Sequence, residues 1–447
     1  MSSLQKIDSQ DSGWFMFVLI SIFVLLVGNL IYPDVATDTG LHLGGVRISP
    51  LGILFVVTAP QIAFYAWNRR QEIEFRSLDL FLLAAMAFIL LRGELAQTTT
   101  NGRALVLAYV LYALLLYYGM AVLGQRKTAY KTMIVVFVCL GLLEAGYALI
   151  EFVLKENVIY GGIIKESAEA MIEKGYHRSG SSFVLPGALG LFLVQVAPFF
   201  IYCFVKGKKA SKMAAWGAAT ILVALALEAT LTKGVWAAAI VLAAAGIIWV
   251  LVYEPSLRKP VMVMAISVSL AATAMTFFFS DTVDNGIFSL RRQNESFLPR
   301  YYMLEKAPST FMANPILGTG LWQGVSEVFY LHQDNIDWGR WRPKAFDDLY
   351  ITFLVEQGIL GAALAAAAFF LIFREAWKLL RKRGAFFAYA LPVVMSMIAI
   401  FLVGFTSDTV FIWPAAVIFW LEAGQLRAMV ELDRNGKCFD RRVANGA

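Results

Sequence analysis

Residues 131–153 read KTMIVVFVCLGLLEAGYALIEFV. Past Lys131 the stretch is apolar around the whole circumference of a helix, interrupted only by Glu144 and Glu151. About 20 such residues, rising about 1.5 Å each, match the hydrocarbon thickness of a bilayer. The run does not alternate apolar with polar residues, so it reads as a membrane helix and not as a strand of a closed barrel. Similar runs recur along the chain. It has 447 residues, 59% of them hydrophobic and 16% charged, with a mean hydropathy of +0.66. A soluble domain carries about 25% charged residues. These figures exclude a soluble enzyme, a disordered chain and a secreted disulfide scaffold. Cys139, Cys203 and Cys438 form no CxxC pair, which excludes a zinc framework.

Twelve candidate spans follow, at 14–32, 48–68, 78–96, 103–124, 131–153, 181–205, 213–232, 234–252, 260–280, 346–373, 384–404 and 409–425. The third is weakened by Arg92 and Glu94. The polar segment Met1–Gly13 lacks the pattern of a cleaved signal, so the first run is expected to be a retained span. The expectation is an all-α polytopic bundle of about 12 spans, one membrane domain over residues 1–447.

Most Lys and Arg residues fall on the side that also carries both termini. They include Arg69, Arg70 and Arg76; Arg126 and Lys127; Lys206 to Lys212; Arg258 and Lys259; Arg374 to Arg383; and the tail from Arg427. The positive-inside rule makes that side cytoplasmic. A basic balance of +6 is therefore a matter of topology and not of nucleic-acid binding. Two long loops then face outward, at 154–180 and 280–345. The first is expected to hold a short amphipathic helix over 163–174, with Ile164, Ala168, Met171 and Ile172 on one face. The second is rich in Trp and Tyr and is expected to fold as a cap. Its tryptophans suit either an interfacial belt or sugar stacking.

No P-loop, GxGxxG, HExxH or GxSxG pattern occurs. The histidines His42, His177 and His332 lie in separate outward loops and are expected to be solvated. The charges inside apolar runs are Arg92, Glu94, Glu144, Glu151, Glu228, Lys233 and Glu356. Each is costly in lipid and marks a functional candidate. For Glu144 and Glu151 a polar contact within the bundle competes with a proton relay. Another set stands at the outer ends of helices: Arg178, Lys233, Arg300, and the pair Asp347 and Asp348. Cations beside carboxylates suit an anionic substrate and a general base.

These segments carry a resemblance. Arg178-Ser179-Gly180-Ser181-Ser182-Phe183-Val184-Leu185-Pro186 is similar to an Arg-x-Gly-(Thr/Ser)-Phe-x-x-Pro element, with one extra residue before the Phe. Thr232-Lys233-Gly234-Val235-Trp236 is similar to a Thr-x-Ser-(Arg/Lys)-Gly-x-Trp turn. Arg300 to Ala307, followed by Asn314-Pro315-Ile316-Leu317-Gly318-Thr319-Gly320, resembles Arg-x6-Ala…Asn-Pro-x-x-Gly-x-Gly. Asp347-Asp348-Leu349-Tyr350, followed by Glu356-Gln357-Gly358-Ile359-Leu360-Gly361, resembles (His/Asp)-Asn-x-Tyr…Glu-x-Gly-x-x-Gly. In this order they resemble the O-antigen polymerase and ligase superfamily of bacterial membrane glycosyltransferases. Ligases of that family carry His and Asn where this chain has Asp347 and Asp348, so the polymerases and exopolysaccharide relatives are nearer.

The resemblance implies a GT-C-like fold, an undecaprenyl diphosphate oligosaccharide donor and a sugar acceptor. It also implies an inner-membrane site facing outward, with membrane lipid and a chain-length regulator as partners. No cofactor or metal is implied: Arg178 and Arg300 would neutralise the leaving diphosphate, and Asp347 or Asp348 would take the acceptor proton. Either aspartate also suits a helix N-cap. Lys233 is a third phosphate contact or an anchor for its turn. Glu356 hydrogen-bonds within the bundle or meets the acceptor. Arg291, Arg292, Trp322 and Tyr350 complete the candidate substrate-binding set. Gly358 and Gly361 read as sites of close helix packing. The competing classes are a ligase, a lipid-linked sugar transporter and a non-catalytic scaffold.

Overall fold

The computed structural model describes residues 41–43, 46–48, 50–96, 100–156, 177–183, 186–207, 209–253, 258–279, 290–321, 348–384, 386–407, 409 and 415–436. A small antiparallel hairpin, β1 Leu41–Leu43 with β2 Val46–Ile48, precedes the helices. The helices are α1 Pro50–Asn68, α2 Ser77–Ala96, α3 Thr100–Leu123, α4 Lys127–Leu154, α5 Pro186–Lys206 and α6 Ala210–Ala229. They continue with α7 Lys233–Tyr253, α8 Arg258–Phe278, α9 Leu290–Ala313, α10 Leu349–Lys382, α11 Phe387–Val403 and α12 Ala415–Arg434. Every expected span from the second to the twelfth coincides with a helix. The first span, the helix expected over 163–174, and Trp322, His332 and Asp347 lie outside the described residues.

Seven of the described helical segments have the length and hydropathy of a membrane span. In α2 and α12 the apolar run is broken by charges: Arg92 and Glu94 in one, Glu422, Arg427 and Glu431 in the other. The bundle is apolar outside and in. On α4, Val135, Leu143 and Ile150 are exposed, while Met133, Phe137, Glu144, Ala148 and Glu151 are buried. The two glutamates therefore face protein, which is the only inexpensive place for them in a membrane helix.

The last helix is the central one. Every residue of α12 from Ala415 to Leu432 is buried. It lies so close to α3 that a Cβ on Gly424 would press on the carbonyl oxygen of Tyr117, the small-residue contact that lets membrane helices approach. The buried charges toward its C-terminal end are paired: Arg427 donates to Asp79 at 3.0 Å and lies 3.1 Å from Glu431. Arg76 donates to Glu431 at 2.9 Å. Lys382 reaches Asp433 at 2.6 Å. These contacts gather the loops around Arg76, Lys382 and Arg434 at one end of the bundle. From that end α11 runs to Gly404 at the other.

α10 departs from the single straight span expected over 346–373. Gly358 has φ 63° and ψ −176°, outside any helix. The arm before it, residues 349–357, folds back along the arm after it, residues 359–382. Phe353 and Phe369 stack edge to face at 6.0 Å, and Phe373 packs 5.4 Å from Phe401, whose carbonyl takes the Tyr350 hydroxyl at 2.8 Å. Gly361 does serve close packing: a Cβ there would stand 2.5 Å from the Phe88 ring of α2. Gly358 instead makes a reversal.

Candidate active site

Arg178 sits in the short segment of residues 177–183, between α4 and α5. Its Nε donates to the Thr230 carbonyl at 3.0 Å and its Nη2 to the Thr232 hydroxyl at 2.8 Å. Residues 230–232 form the tight α6–α7 turn, where Leu231 adopts φ 46° and Lys233 opens α7. Backbone contact reinforces this pairing, since the Ser179 N–H donates to the Ala229 carbonyl at 3.1 Å. The Trp236 indole N–H closes the turn from within by donating to the Leu227 carbonyl at 2.8 Å. Two motifs separated by more than fifty residues thus form one unit.

α4 holds the other side of this segment. The Ser181 N–H donates to Glu151 Oε2 at 2.6 Å. The Ser181 hydroxyl donates to Glu144 Oε2 at 2.6 Å, and the Ser182 hydroxyl to Glu144 Oε1 at 2.7 Å. The Ser179 hydroxyl donates to the Ala148 carbonyl at 2.7 Å. His177 Nε2 lies 3.5 Å from Glu151 Oε1. Ser181 is held at φ 51°, a left-handed conformation that a side-chain residue keeps only when its surroundings fix it. The glutamates are thus polar contacts of the bundle with a definite task. His177 corrects the sequence reading: it is 3% exposed, not solvated. Glu228 also finds a partner, accepting from the Thr276 hydroxyl at 2.6 Å.

The turn at Lys233 leads directly to the start of α10. Gly234 abuts Thr406, so closely that a Cβ would overlap the threonine side chain. Two residues earlier, the Gly404 carbonyl accepts from the Leu349 N–H at 2.8 Å. Asp348 is the N-cap of α10, its Oδ1 accepting from the N–H groups of Tyr350 and Ile351, each at 2.9 Å. Asp347, the preceding residue, lies outside the described residues. Beside this cap is an apolar cavity of about 300 Å3, lined by Tyr350, Phe373, Ile398, Phe401, Leu402 and Phe405.

A second constellation lies at the α10 reversal. A helix that ends leaves carbonyls unpaired, and one that starts leaves N–H groups unpaired. The loop of residues 314–320 supplies both partners. The Thr319 and Gly320 N–H groups donate to the carbonyls of Val355 at 3.1 Å and Glu356 at 2.8 Å. The Ile359 and Leu360 N–H groups donate to the carbonyls of Pro315 at 2.9 Å and Ile316 at 3.2 Å. Gly318 has φ 69° and Gly320 φ 100°. From α2, Arg92 Nε donates to the Leu317 and Gly318 carbonyls at 3.2 and 3.1 Å, and its Nη2 to Gly318 at 2.5 Å. The Asn-Pro-x-x-Gly-x-Gly and Glu-x-Gly-x-x-Gly motifs are two halves of this dock. Sequence reasoning marked Arg92 as a costly charge and missed its target, because the loop it clasps is 225 residues away.

Of the candidate residues, Arg178, Lys233 and Asp348 are thus brought to one region by contacts of their neighbours, Arg178 with Thr230 and Thr232, Gly234 with Thr406, and Leu349 with Gly404. Tyr350 lies one helical step inward, its ring 4.6 Å from Phe405. Glu356 is fully buried at the α10 reversal, roughly 12 Å along the arm from Asp348 at about 1.5 Å per residue. Arg291, Arg292 and Arg300 lie on α9, whose C-terminal end leads into the docked loop. Arg300 stands roughly 21 Å back along that helix from Asn314. Among the described residues no group of three or more His, Cys, Asp and Glu is placed to hold a metal ion.

Residues 218–366 match a family model described as O-Antigen ligase. The match supports the O-antigen polymerase and ligase superfamily. It covers about a third of the chain. No curated protein matches. The matched segment includes the Lys233 turn, Arg300, the docked loop and the folded-back arm of α10. Arg178 lies before the matched residues, and its hydrogen bonds to Thr230 and Thr232 tie it to them. The family carries glycosyl-transfer chemistry in a polytopic membrane protein, in keeping with the apolar helices described above.

Proposed function

We propose that this protein is a membrane glycosyltransferase that polymerises undecaprenyl diphosphate-linked oligosaccharide repeat units into a surface polysaccharide. One observation carries the reading: the contact chain from Arg178 to Thr232, from Gly234 to Thr406, and from Gly404 to Leu349 joins three motifs at one end of the bundle. The positive-inside pattern supports placing that end outward, with both termini cytoplasmic, in the inner membrane of a bacterium.

In the reaction the bond between the anomeric carbon and the diphosphate oxygen breaks, and a bond to the acceptor hydroxyl oxygen forms. The diphosphate departs with both bonding electrons. Arg178 and Arg300 offset its growing charge, since a guanidinium keeps its proton and matches phosphate oxygens in a fork. Lys233 adds a point charge at the mouth of α7. The acceptor proton passes to the carboxylate of Asp347. Asp348 is already engaged as the N-cap. The apolar cavity at Tyr350 suits the isoprenoid tail. This arrangement needs no metal, and a chain-length regulator is the expected protein partner.

Ligation to a lipid acceptor is the second reading, favoured by the description of the matched family. A transporter fits less well. Broken helices in transporters present their open backbone groups to cargo, whereas here residues 314–320 take them up.

The test is reconstitution of the full chain in liposomes with a lipid-linked repeat unit. A ladder of product lengths is expected for polymerisation, and a single added unit on a supplied acceptor for ligation. Arg300→Lys and Asp347→Asn should each abolish the ladder while the protein still binds donor. An undiminished ladder in both variants overturns the reading.

A further inference from the structure

The end of the bundle opposite Asp348 holds a cavity of about 620 Å3 between the second arm of α10, the C-terminal turn of α12 and the segment before α2. The cations Arg76, Lys378, Arg381, Lys382 and Arg434 line it. Glu375 and Asp433 share the lining, while Arg76 and Arg434 are already held by Glu431 and Glu74 just outside it, so the cations left for an incoming anion are Lys378, Arg381 and Lys382. Lys378 and Lys382 each meet one carboxylate, at 2.7 and 2.6 Å, with their side chains 55% and 61% exposed. Exposed pairs of this kind hold their cations weakly and release them to a better anion. Arg381 is exposed and meets no carboxylate among the described residues.

The depth of the cavity is marked independently. Phe370 and Trp377 are 66% and 65% exposed on the outward side of the same helix arm. An apolar stripe ending in Trp and followed at once by Lys and Arg is the pattern of a helix leaving the hydrocarbon for the headgroup layer. Leu379 and Val430 give the cavity an apolar floor. A ligand that fits therefore has an anionic head and an apolar stem, and it approaches at the level of the lipid headgroups. Basic pockets between membrane helices take phosphodiester headgroups in this way.

We propose that this cavity binds the phosphodiester headgroup of an anionic phospholipid from the adjoining leaflet. The acyl stems run out past Leu379 and the exposed face of α10, while Arg381, Lys378 and Lys382 close on the phosphate. The site is separate from the transferase reading and stands or falls without it.

The purified full chain is tested by native mass spectrometry and thermal unfolding with added phosphatidylglycerol, phosphatidylcholine or inorganic phosphate. Phosphatidylglycerol should be retained and raise the unfolding temperature, and phosphatidylcholine should do neither. The double substitution Lys378→Gln with Arg381→Gln should cut phosphatidylglycerol retention on the order of tenfold. Both side chains are exposed, so the variant is expected to fold, and unchanged far-UV circular dichroism checks this. The double substitution Lys209→Gln with Lys212→Gln removes two exposed cations at the start of α6 and should leave retention unchanged. Equal retention by the Lys378/Arg381 variant, an equal loss in the Lys209/Lys212 variant, or the same thermal shift with inorganic phosphate alone each overturns the proposal.

Discussion

Phe353 and Phe369 touch edge to face at 6.0 Å, although they belong to one expected span and are sixteen residues apart. On a straight helix that separation is roughly 24 Å. The contact means that α10 doubles back, carrying the Asp348 end to Gly404 within the bundle. Asp348, the cap, thus begins a folded-back arm and does not mark the outer tip of a span.

The reversal depends on glycine at two facing positions. A Cβ on Gly318 would stand 2.5 Å from the Gly358 nitrogen, and one on Gly358 would stand 2.5 Å from the Gly318 nitrogen. Both residues also have positive φ. Gly318→Ala and Gly358→Ala should each destabilise the fold by at least about 1–3 kcal/mol from backbone strain alone. Thermal unfolding of the detergent-solubilised protein checks this. A change smaller than the scatter between preparations for either variant would contradict the dock.

Arg92 clasps that dock through two of its nitrogens. Arg92→Lys keeps the charge but loses the fork. Glycan transfer is expected to fall more than stability does, since the lost charged hydrogen bonds are worth about 1.5–3 kcal/mol before lysine recovers part of them. Protease sensitivity within residues 314–320 should rise in parallel. Unaltered cleavage and transfer would mean the arginine is dispensable there.

The two aspartates separate cleanly. Asp348→Ala removes the cap and should cost about 0.5–2 kcal/mol, while Asp348→Asn should keep the cap and most of the activity. Asp347→Asn should lower turnover by about 10²–10⁴-fold with little change in melting temperature. Equal turnover losses in Asp347→Asn and Asp348→Asn would place the base elsewhere.

Glu151 positions the Arg178 segment. Glu151→Ala leaves the buried Ser181 N–H without its acceptor, at a cost of about 1–3 kcal/mol. Glu151→Gln still offers an oxygen, so it should recover part of that stability and of the transfer rate. Stability and rate that fall together in Ala and recover together in Gln identify a positioning role. If Gln is as inactive as Ala at wild-type stability, the carboxylate charge itself is needed.

Chelation provides a direct check on the metal-free arrangement. Incubation with EDTA should leave transfer unchanged, because guanidinium groups supply the charge that a divalent ion would otherwise bring. Loss of activity restored by one added metal would demote the arginines to lipid contacts.

Composition and periodicity alone settled that the chain is a helical membrane protein, and they located its helices from the second expected span onward. Hydropathy reports the solvent a segment prefers, and in a bilayer that preference is imposed on each segment separately. The same logic exposed Arg92, Glu144 and Glu151 as costly residues, and motif order brought Arg178, Lys233 and Asp348 onto one short candidate set. What each charge holds was decided only by tertiary structure. Arg92 binds carbonyls of a loop far away in sequence, and His177 is buried against Glu151 despite its polar neighbours. α12 is central although its composition is the most charged of the apolar helices. The folded-back arm of α10 was invisible for a related reason. Apart from Glu356 and Gln357 the residues on both sides of Gly358 are largely apolar, so the run reads as one span. The choice between a straight helix and a reversal rests on whether another part of the chain can satisfy the backbone groups freed at the break. Residues 314–320 do so, and that pairing exists only once the chain has folded.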